Sequence, residues 1–214
     1  AQIKAGAFES DGADLGRVVK AEKRRSLPPL RGQIYSYRLT QIQGAPALRI
    51  DVGFGVYLDV ALAGLKNVRA GESVVSNKTR GKYTFKMVSG RKFAYYSYRA
   101  RVLSVIDGDT LWLDIDCGFG VWTKQKVRLR GIDTPELDTA EGGRSRDFVV
   151  QALMDAEFVG VTTTKPDKYD RYLADVFYLG KAGDGQTVLT DGVFLNKALY
   201  DAGLAAWFVA GEGA

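Results

Sequence analysis

Short acidic and basic motifs along the chain contain the residue types that metal-assisted phosphodiester chemistry requires. They occupy residues 106–110 (Ile-Asp-Gly-Asp-Thr), 128–131 (Arg-Leu-Arg-Gly), 132–136 (Ile-Asp-Thr-Pro-Glu) and 167–171 (Asp-Lys-Tyr-Asp-Arg). The chain has no histidine and one cysteine, so it lacks the residues that most often act as bases, nucleophiles and zinc ligands. Chemistry at these motifs therefore depends on carboxylates, guanidinium groups and a metal ion that prefers oxygen ligands.

The carboxylates of these motifs fit the ligand set of a calcium ion. Asp109 and Asp133 supply hard oxygen ligands, and a backbone carbonyl near Thr134 adds another. Ca²⁺ fills its remaining coordination positions with water and substrate phosphate. Glu136 is close in sequence but is not needed as a ligand, so it is free to orient or deprotonate a water molecule.

The arginines of these motifs suit a phosphate group. Arg128 and Arg171 come from separate segments, and each guanidinium group can form paired hydrogen bonds with phosphate oxygens. Such contacts stabilise the negative charge that builds up in the transition state. The reaction that these groups imply is in-line attack of water on a phosphodiester.

Each motif taken alone also has a purely structural interpretation. Asp-Gly-Asp between two strands is typical of a turn, and Asp-Thr-Pro-Glu is typical of a helix start. Arg128 and Arg130 alternate with core residues, as side chains on the solvent face of a strand do. The functional interpretation therefore rests on the occurrence of all the motifs together within residues 96–214.

The composition is that of a globular protein with an uneven charge distribution. The chain has 214 residues, of which 46% are hydrophobic and 26% charged, enough for one large domain or two small ones. Its apolar runs are far shorter than the ~20 residues of a membrane-spanning helix, so no membrane partner is predicted. Residues 1–95 contain 17 Lys and Arg against 7 Asp and Glu, whereas residues 96–214 contain 13 against 18. A basic half suits a polyanion, although a solubilising surface gives the same pattern.

Three segments of the first half recur in the second half in the same order. The matching pairs are 35–38 with 96–99, 50–56 with 115–121, and 60–65 with 127–132. In the second copy Leu111, Leu113 and Ile115 alternate with residues of the opposite face, which is the period of a half-buried strand. A turn at 118–120 and a returning strand follow. The corresponding core positions of the first copy are Leu48, Ile50, Val60 and Leu62.

Apolar residues at helical spacing follow the strands of the second copy. They predict one helix around 148–153 and another around 194–199, the latter ending at Gly203. Residues 159–164 and 173–179 have the pattern of strands. In the first copy, strands are predicted directly over 72–88 without a helix.

These patterns divide the chain into a basic lead (1–32), a small β domain (33–95) and a larger mixed domain (96–214). Within the lead, the basic run at 20–25 precedes two prolines at 28 and 29. This composition favours a solvated arm over a short helix. Cys117 has no partner for an internal disulfide, so the fold depends on its hydrophobic core.

The motifs at 105–110, 127–136 and 167–171 resemble those of the staphylococcal (micrococcal) nuclease family, in a compact phage-type or archaeal-type form. The similarity runs from about Arg99 to Phe208. It implies a β-rich α+β fold, an OB-fold (staphylococcal nuclease-like) five-stranded barrel with helices, here preceded by a smaller OB-like β domain. It also implies a Ca²⁺-dependent, sequence-nonspecific endonuclease that hydrolyses DNA and RNA and leaves 5′-hydroxyl and 3′-phosphate ends.

The resemblance also assigns a role to each residue that matches the family's motifs. Asp109, Asp133 and Thr134 would hold calcium, with Asp107 nearby. The catalytic residues would be Arg128, Glu136 and Arg171. Lys168 and Tyr169 would line the substrate. Glu136 would handle the attacking water, and the two arginines would bind the scissile phosphate. The expected partners are DNA or RNA.

Two positions depart from the family pattern. Asp170 stands where the family usually has glycine, and this extra acid would weaken phosphate binding or interact with Arg171. Val209 and Gly211 stand where the staphylococcal enzyme has base-contacting tyrosines, so a stacking surface requires Trp207 or Phe208 instead. Both departures bear on the grip on substrate more than on the chemistry.

The first copy keeps the frame of the second without its reactive groups. Ala61 stands at the Arg128 position, Lys66 stands at the Asp133 position, and the Asp-Gly-Asp segment is shortened to 43–46. This contrast favours a catalytic role for the acids and arginines of the second copy. The role of the first domain stays open between two alternatives. Its interleaved cations and aromatics would suit a phosphate backbone with stacked bases, or the domain packs on the acidic domain as a structural partner.

Three functions are compatible with these observations. The intact set of acids and arginines favours a phosphodiesterase over a nucleic-acid-binding protein with an inactive nuclease domain, as in Tudor staphylococcal nuclease proteins. An interaction scaffold without nucleic acid is the third alternative. A monomer is expected. A nuclease of broad specificity endangers its own cytoplasm, which favours export or a phage or plasmid setting.

Overall fold

The computed structural model describes residues 27–44, 47–88, 96–166, 172–180 and 184–208. Its first unit is an antiparallel sheet of five strands: β1 (Ser36–Thr40), β2 (Arg49–Gly53), β3 (Val56–Asp59), β4 (Ser73–Thr79) and β5 (Lys82–Val88). The strands lie in the order β3-β2-β1-β4-β5. No pairing joins the edge strands β3 and β5 within the described residues, so this sheet is open.

The second unit is a closed five-stranded barrel with three helices. Its strands are β6 (Ser97–Val105), β7 (Thr110–Gly118), β8 (Val121–Leu129), β9 (Ile132–Asp133), β10 (Val159–Pro166), β11 (Tyr172–Tyr178), β12 (Val193–Phe194) and β13 (Ala206–Trp207). The sheet order is β10-β6-β7-β8-β11, and pairing of β10 with β11 closes the barrel. Strand β8 runs parallel to β11, and the other barrel pairs are antiparallel. The predicted OB-fold barrel is confirmed.

The helices are α1 (Ala140–Leu153), α2 (Gly185–Asp191) and α3 (Leu195–Asp201). Helix α1 begins after Thr139, whose side chain accepts a hydrogen bond from a first-turn amide, and it buries Val149 and Leu153 as its apolar spacing predicts. Helix α3 ends before Gly203, which has a φ of +70°. The seven-residue α2 was not predicted from the sequence. No helix of the described residues has the length and apolar character needed to cross a membrane.

One predicted strand of the first unit is wrong. The returning strand that was expected to carry Val60 and Leu62 ends at Asp59, and Val60–Ala63 forms a 3-10 turn. The Asp59 carboxylate accepts a hydrogen bond from the amide of Ala61, which caps this turn, and Gly64 ends it in the left-handed conformation. The capping aspartate therefore stops the strand although the apolar alternation continues.

The two units are joined by reciprocal hydrogen bonds of buried tyrosines. The Tyr37 hydroxyl donates to the carbonyl of Cys117 at 2.8 Å, and the Tyr98 hydroxyl donates to the carbonyl of Val52 at 3.0 Å. Each tyrosine side chain thus extends from its own unit and donates a hydrogen bond to a backbone carbonyl of the other unit. Because both rings are almost fully buried, these contacts join the two sheets into one core.

A glycine next to each accepting carbonyl makes the close approach possible. A Cβ atom at Gly53 would lie 2.1 Å from the Tyr98 hydroxyl, and one at Gly118 would lie 2.2 Å from the Tyr37 hydroxyl. Their φ angles of +91° and +82° also favour glycine over other residues. Any side chain at either position would separate the units.

A second pair of reciprocal contacts surrounds the first. The Tyr35 hydroxyl donates to Asp116 at 2.8 Å, and the Tyr96 hydroxyl donates to Asp51 at 2.6 Å. The ring of Phe119, in the β7–β8 turn, packs against the β5 aromatics Tyr83 and Phe85 at centroid distances of 4.8 and 5.8 Å. These two aromatics of the first unit are therefore interface residues, and of the two roles considered for this domain, packing on the barrel is observed.

The end of the lead also packs on the barrel. The amide of Leu30 donates to the buried carboxylate of Asp175 at 2.7 Å. The guanidinium group of Arg31 donates to three backbone carbonyls at the end of α2, at 2.6 to 2.9 Å. The arm predicted at 20–25 lies outside the described residues, but 27–32 is part of the fold.

We expect Tyr98→Phe to lower the free energy of unfolding by about 1–3 kcal/mol, because it leaves the buried carbonyl of Val52 without a donor. Tyr37→Phe should have a similar effect through Cys117. Urea unfolding measures both, and Tyr57→Phe, at an exposed tyrosine, is the matched control. Effects no larger than that of the control would show that the reciprocal bonds contribute nothing.

The same interface predicts a loss of stability at alkaline pH. Burial raises the pKa of Tyr37 and Tyr98 above the usual value and raises the pKa of the Cys117 thiol to about 12. Unfolded thiol and phenol groups release their protons near pH ~8.5 and ~10, so above these values the unfolded state loses protons that the folded state keeps. The free energy of unfolding should fall as pH rises through this window, with a flatter slope in Tyr98→Phe. A slope that is the same in both proteins would contradict the assignment.

Candidate active site

A turn between β6 and β7 buries the first predicted metal ligand. The carboxylate of Asp107 accepts a hydrogen bond from the amide of Asp109 at 3.0 Å, which closes the turn before β7 begins at Thr110. Asp109 is only 2% exposed. Asp107 therefore shapes the loop that presents Asp109.

Arg128 brings the two predicted metal ligands together. It lies on β8 opposite Thr110, and its Nη1 donates to Oδ1 of Asp109 at 2.9 Å. Its Nη2 donates to Oδ1 of Asp133, which β9 supplies after the tight turn at Gly131. One guanidinium group thus contacts a carboxylate from the β6–β7 turn and a carboxylate from β9.

The backbone of Thr134 completes this cluster. Its amide donates to the second carboxylate oxygen of Asp109 at 3.0 Å, which places residue 134 beside the predicted ligand. Burial raises the pKa of Asp109 above its usual value, while Arg128 and the Thr134 amide act in the opposite direction by stabilising its negative charge. The cluster is therefore a buried carboxylate held by a cation and an amide.

The donor set of this cluster fits a calcium ion. Carboxylates and a backbone carbonyl are the hard oxygen ligands that Ca²⁺ takes, and Asp133 is still half exposed to solvent. Across the described ranges, no group of three or more Asp, Glu or Cys side chains converges on one point. A metal ion here would therefore rely on Asp109, Asp133 and the Thr134 carbonyl, with water and phosphate as its other ligands.

Glu136 lies at the surface just before helix α1. Its backbone carbonyl accepts hydrogen bonds from the amide and the hydroxyl of Thr139, at 3.0 and 2.7 Å. The same carbonyl faces Gly142 in the first turn of α1, where a Cβ atom would lie 2.0 Å from it. The position of Glu136 is thus fixed by the start of the helix, and Gly142 allows the contact.

The turn before β7, the β9 segment and helix α1 approach one another closely at three small residues, for which the sequence analysis predicted no packing role: Gly108, Gly142 and Ser145. A Cβ atom at Gly108 would lie 2.7 Å from the side chain of Ser145 and 2.8 Å from that of Thr134. The fully buried Ser145 hydroxyl donates to the carbonyl of Leu204 at 2.8 Å. Gly142 carries a sequence signal, since a Gly-Gly pair is unusual inside a helix, whereas no signal marked Gly108 or Ser145 as packing residues.

Arg130 does not belong to the site. Its guanidinium group forms two hydrogen bonds of 2.7 Å with the buried carboxylate of Asp175. The prediction that Arg130 lies on the solvent face of a strand, like Arg128, is therefore wrong. The same guanidinium group also donates to the carbonyl of Pro28 at 3.1 Å, so the end of the lead covers the face that was expected to meet solvent.

Several predicted site residues lie outside the described residues. These are Arg171, Lys168 and Tyr169, together with Asp170, Val209 and Gly211. Of the two expected replacements for the missing tyrosines, Trp207 packs on Tyr200 at a centroid distance of 4.2 Å, and its indole N–H has no partner in the described part of the chain. Phe208 is 48% exposed, and its amide donates to the carbonyl of Gly131 at 3.0 Å. Phe208 therefore has a free ring beside the site.

Part of the chain matches a known protein family. Residues 126–212 match the model of a family described as staphylococcal nuclease homologue. No curated protein matches the chain. The matched segment contains Arg128, Asp133, Thr134 and Glu136, and it begins after Asp109, so it covers less of the chain than the resemblance read from the motifs.

The contact between Gly142 and Glu136 predicts that alanine substitutions at two neighbouring glycines have different effects on activity. Gly142→Ala should displace Glu136, and for the nuclease-type activity that the family match suggests it should lower kcat by about 10²-fold, since a misplacement of about 1 Å has this cost. Gly143→Ala meets open space and should leave kcat unchanged while raising the free energy of unfolding by about 0.5–1 kcal/mol. Equal activity of the two variants would show that the position of Glu136 does not matter.

Proposed function

With residues 126–212 matching the staphylococcal nuclease homologue family, we propose that the chain is a calcium-dependent, sequence-nonspecific endonuclease. It hydrolyses phosphodiester bonds of DNA and RNA and leaves 5′-hydroxyl and 3′-phosphate ends. The observation that carries the proposal is the convergence of Asp109 and Asp133 on Arg128, because three separate segments bring two hard ligands and a phosphate-binding group to one place.

In this proposal Asp109, Asp133 and the Thr134 carbonyl hold the calcium ion. When bound, the ion supplies positive charge beside the scissile phosphate. Asp109 is suited to this role because its turn and the Thr134 amide fix its carboxylate before any ligand arrives. Preorganised ligands avoid the cost of ordering a loop during binding.

Glu136 and the arginines carry out the reaction of water with the phosphodiester. The exposed carboxylate of Glu136 accepts a proton from water as its oxygen attacks phosphorus. The bond from phosphorus to the 5′ oxygen breaks, and the leaving oxygen takes a proton to become the 5′-hydroxyl end, while phosphate stays on the 3′ side. Arg128 and Arg171 donate to the phosphate oxygens and stabilise the charge of the transition state.

Residues around this centre bind the rest of the substrate. The family resemblance assigns Lys168 and Tyr169 to substrate binding in this proposal. Phe208 supplies the stacking ring in place of the missing tyrosines, because it is exposed and is hydrogen-bonded through its backbone to the turn that carries Asp133. In this assignment the Phe208 ring stacks on a base of the substrate without preferring one base over another.

A second function is favoured by one specific observation. Both charged contacts of Arg128 go to Asp109 and Asp133, so the guanidinium group is engaged within the protein and must exchange partners to bind phosphate. A chain in which this exchange is unfavourable is a catalytically weak or inactive nucleic-acid-binding protein. The assay below separates the two functions.

If the chain is an endonuclease, it should cut plasmid and single-stranded DNA in the presence of calcium, and a chelator should abolish the cutting. Glu136→Gln should lower the rate by about 10²–10⁴-fold, because it removes the base without changing shape. Glu141→Gln is the matched control, since this glutamate is exposed on the same helix start and pairs only with Arg144 among the described residues. Gel analysis of the products, with end labelling, checks both the rate and the position of the cut.

Cutting that persists in chelator or is equal in both glutamine variants would contradict the proposed site. Arg171→Ala tests the second arginine in the same assay and should also lower the rate strongly. Salt-sensitive retardation of DNA without cutting would instead support the nucleic-acid-binding protein.

A further inference from the structure

The outer face of strand β8 carries a row of exposed side chains that starts at the candidate active site. Going back along the strand from Arg128, the residues on this face are Lys126, Lys124 and Trp122, and all three are exposed. Residues two apart on a strand are separated by about 7 Å along its axis. The row therefore extends about 20 Å from the scissile-bond position toward the β7–β8 turn.

Both lysines of this row are available for a ligand. Neither Lys124 nor Lys126 forms an ion pair with any residue in the described parts of the chain. Lys126 lies opposite Trp112 on β7, and the Trp112 ring is 39% exposed. A cation thus stands beside an exposed ring at the end of the row nearer to the site.

The other end of the row has the same combination. The Trp122 ring is 37% exposed and lies next to two arginines of β6, with guanidinium carbons 5.1 Å (Arg101) and 5.9 Å (Arg99) from its centroid. Asp116 on the same face is neutralised by Arg99 at 2.9 Å. Asp114 is the remaining acid of this face in the described strands, so cations outnumber acids along it.

The row leads into a cleft between the two units. The cleft has a volume of about 170 Å³, with Trp122 on its barrel side and Lys78 on the side of the open sheet. The rings of Phe119 and Tyr83, which pack on each other at 4.8 Å, form part of its wall. The Lys78 ammonium lies 5.3 Å from the Tyr83 ring centroid. The cleft therefore offers aromatic faces for a base and a cation for a phosphate, from both units of the chain.

We propose that a single-stranded polynucleotide bound at the candidate active site continues along the outer face of β8 and places a base in this cleft. The inference rests on the proposed function and extends it to the path of the substrate. Evenly spaced cations match successive phosphates, and exposed flat rings beside them match bases, whereas an acidic peptide would leave the rings unused. The open first sheet thereby contributes to substrate binding through Lys78 and Tyr83.

Binding of fluorescent single-stranded DNA to the full chain tests this path in a Glu136→Gln background, where cutting does not interfere. Lys124→Glu should lower the affinity for a strand of about 24 nucleotides by about tenfold and reduce the salt slope by about one, since one phosphate contact is lost. For a strand of about four nucleotides, which is held at the active site alone, the affinity should change by less than about twofold. Lys197→Glu, with the same charge change on α3, should leave both affinities unchanged.

Trp122→Ala tests the stacking contact, with Trp122→Phe as the conservative variant. The alanine variant should lose about tenfold in affinity for the longer strand, and phenylalanine should restore most of it. Lys124→Glu changes an exposed side chain, so it keeps the test decisive if Trp122→Ala fails to fold.

The outcomes distinguish the path from the proposed function. Weakening that is confined to the longer strand supports the path even if the wild-type chain cuts nothing, in which case only the nuclease assignment is overturned. Equal effects on short and long strands, or no effect of Lys124→Glu and Trp122→Ala on either strand, overturn the path while leaving any observed cutting intact.

Discussion

The structure depends on the contact in which a tyrosine hydroxyl of each unit meets a backbone carbonyl of the other over a glycine. Tyr37 and Tyr98 leave their own sheets, and each fills a space that a single Cβ atom would close. Because the partners are buried, each bond must be made, since an unpaired carbonyl in this core is costly. The orientation of the open sheet on the barrel follows from this requirement, and so does the cleft beside it.

The candidate site shows the opposite use of buried polarity. At the interface, tyrosine hydroxyls donate to two backbone carbonyls and to the carboxylates of Asp51 and Asp116, whereas the site collects charges of both signs on strand ends next to solvent. Asp109 is buried and fixed by its neighbours, while Asp133 and Glu136 stay accessible. For the proposed function, a rigid carboxylate beside accessible ones suits a site that would hold an ion and also admit a substrate.

How far the sequence predicts the structure depends on whether a feature is periodic or relies on packing between distant segments. The barrel strands and the helices α1 and α3 follow from apolar spacing, and the convergence of Asp109, Asp133 and Arg128 follows from their positions at strand ends. The contact of Arg130 with Asp175 does not follow from spacing, because the two residues lie 45 positions apart and the end of the lead covers them. The contact of Gly142 with Glu136 likewise depends on how α1 packs, and the turn at 60–63 depends on one capping carboxylate that outweighs the apolar pattern.

The reciprocal character of the interface has a consequence for how the two units vary. When like surfaces of two identical subunits pair about a twofold axis, every substitution appears on both sides and must suit both. Here the like surfaces belong to one chain, so each side changes independently while the shared contact is kept. The barrel carries the acids and arginines of the candidate site and the open sheet does not, although the same kind of tyrosine–carbonyl contact is made from each side. The surface through which a unit would join a second copy of itself is also already covered within the chain.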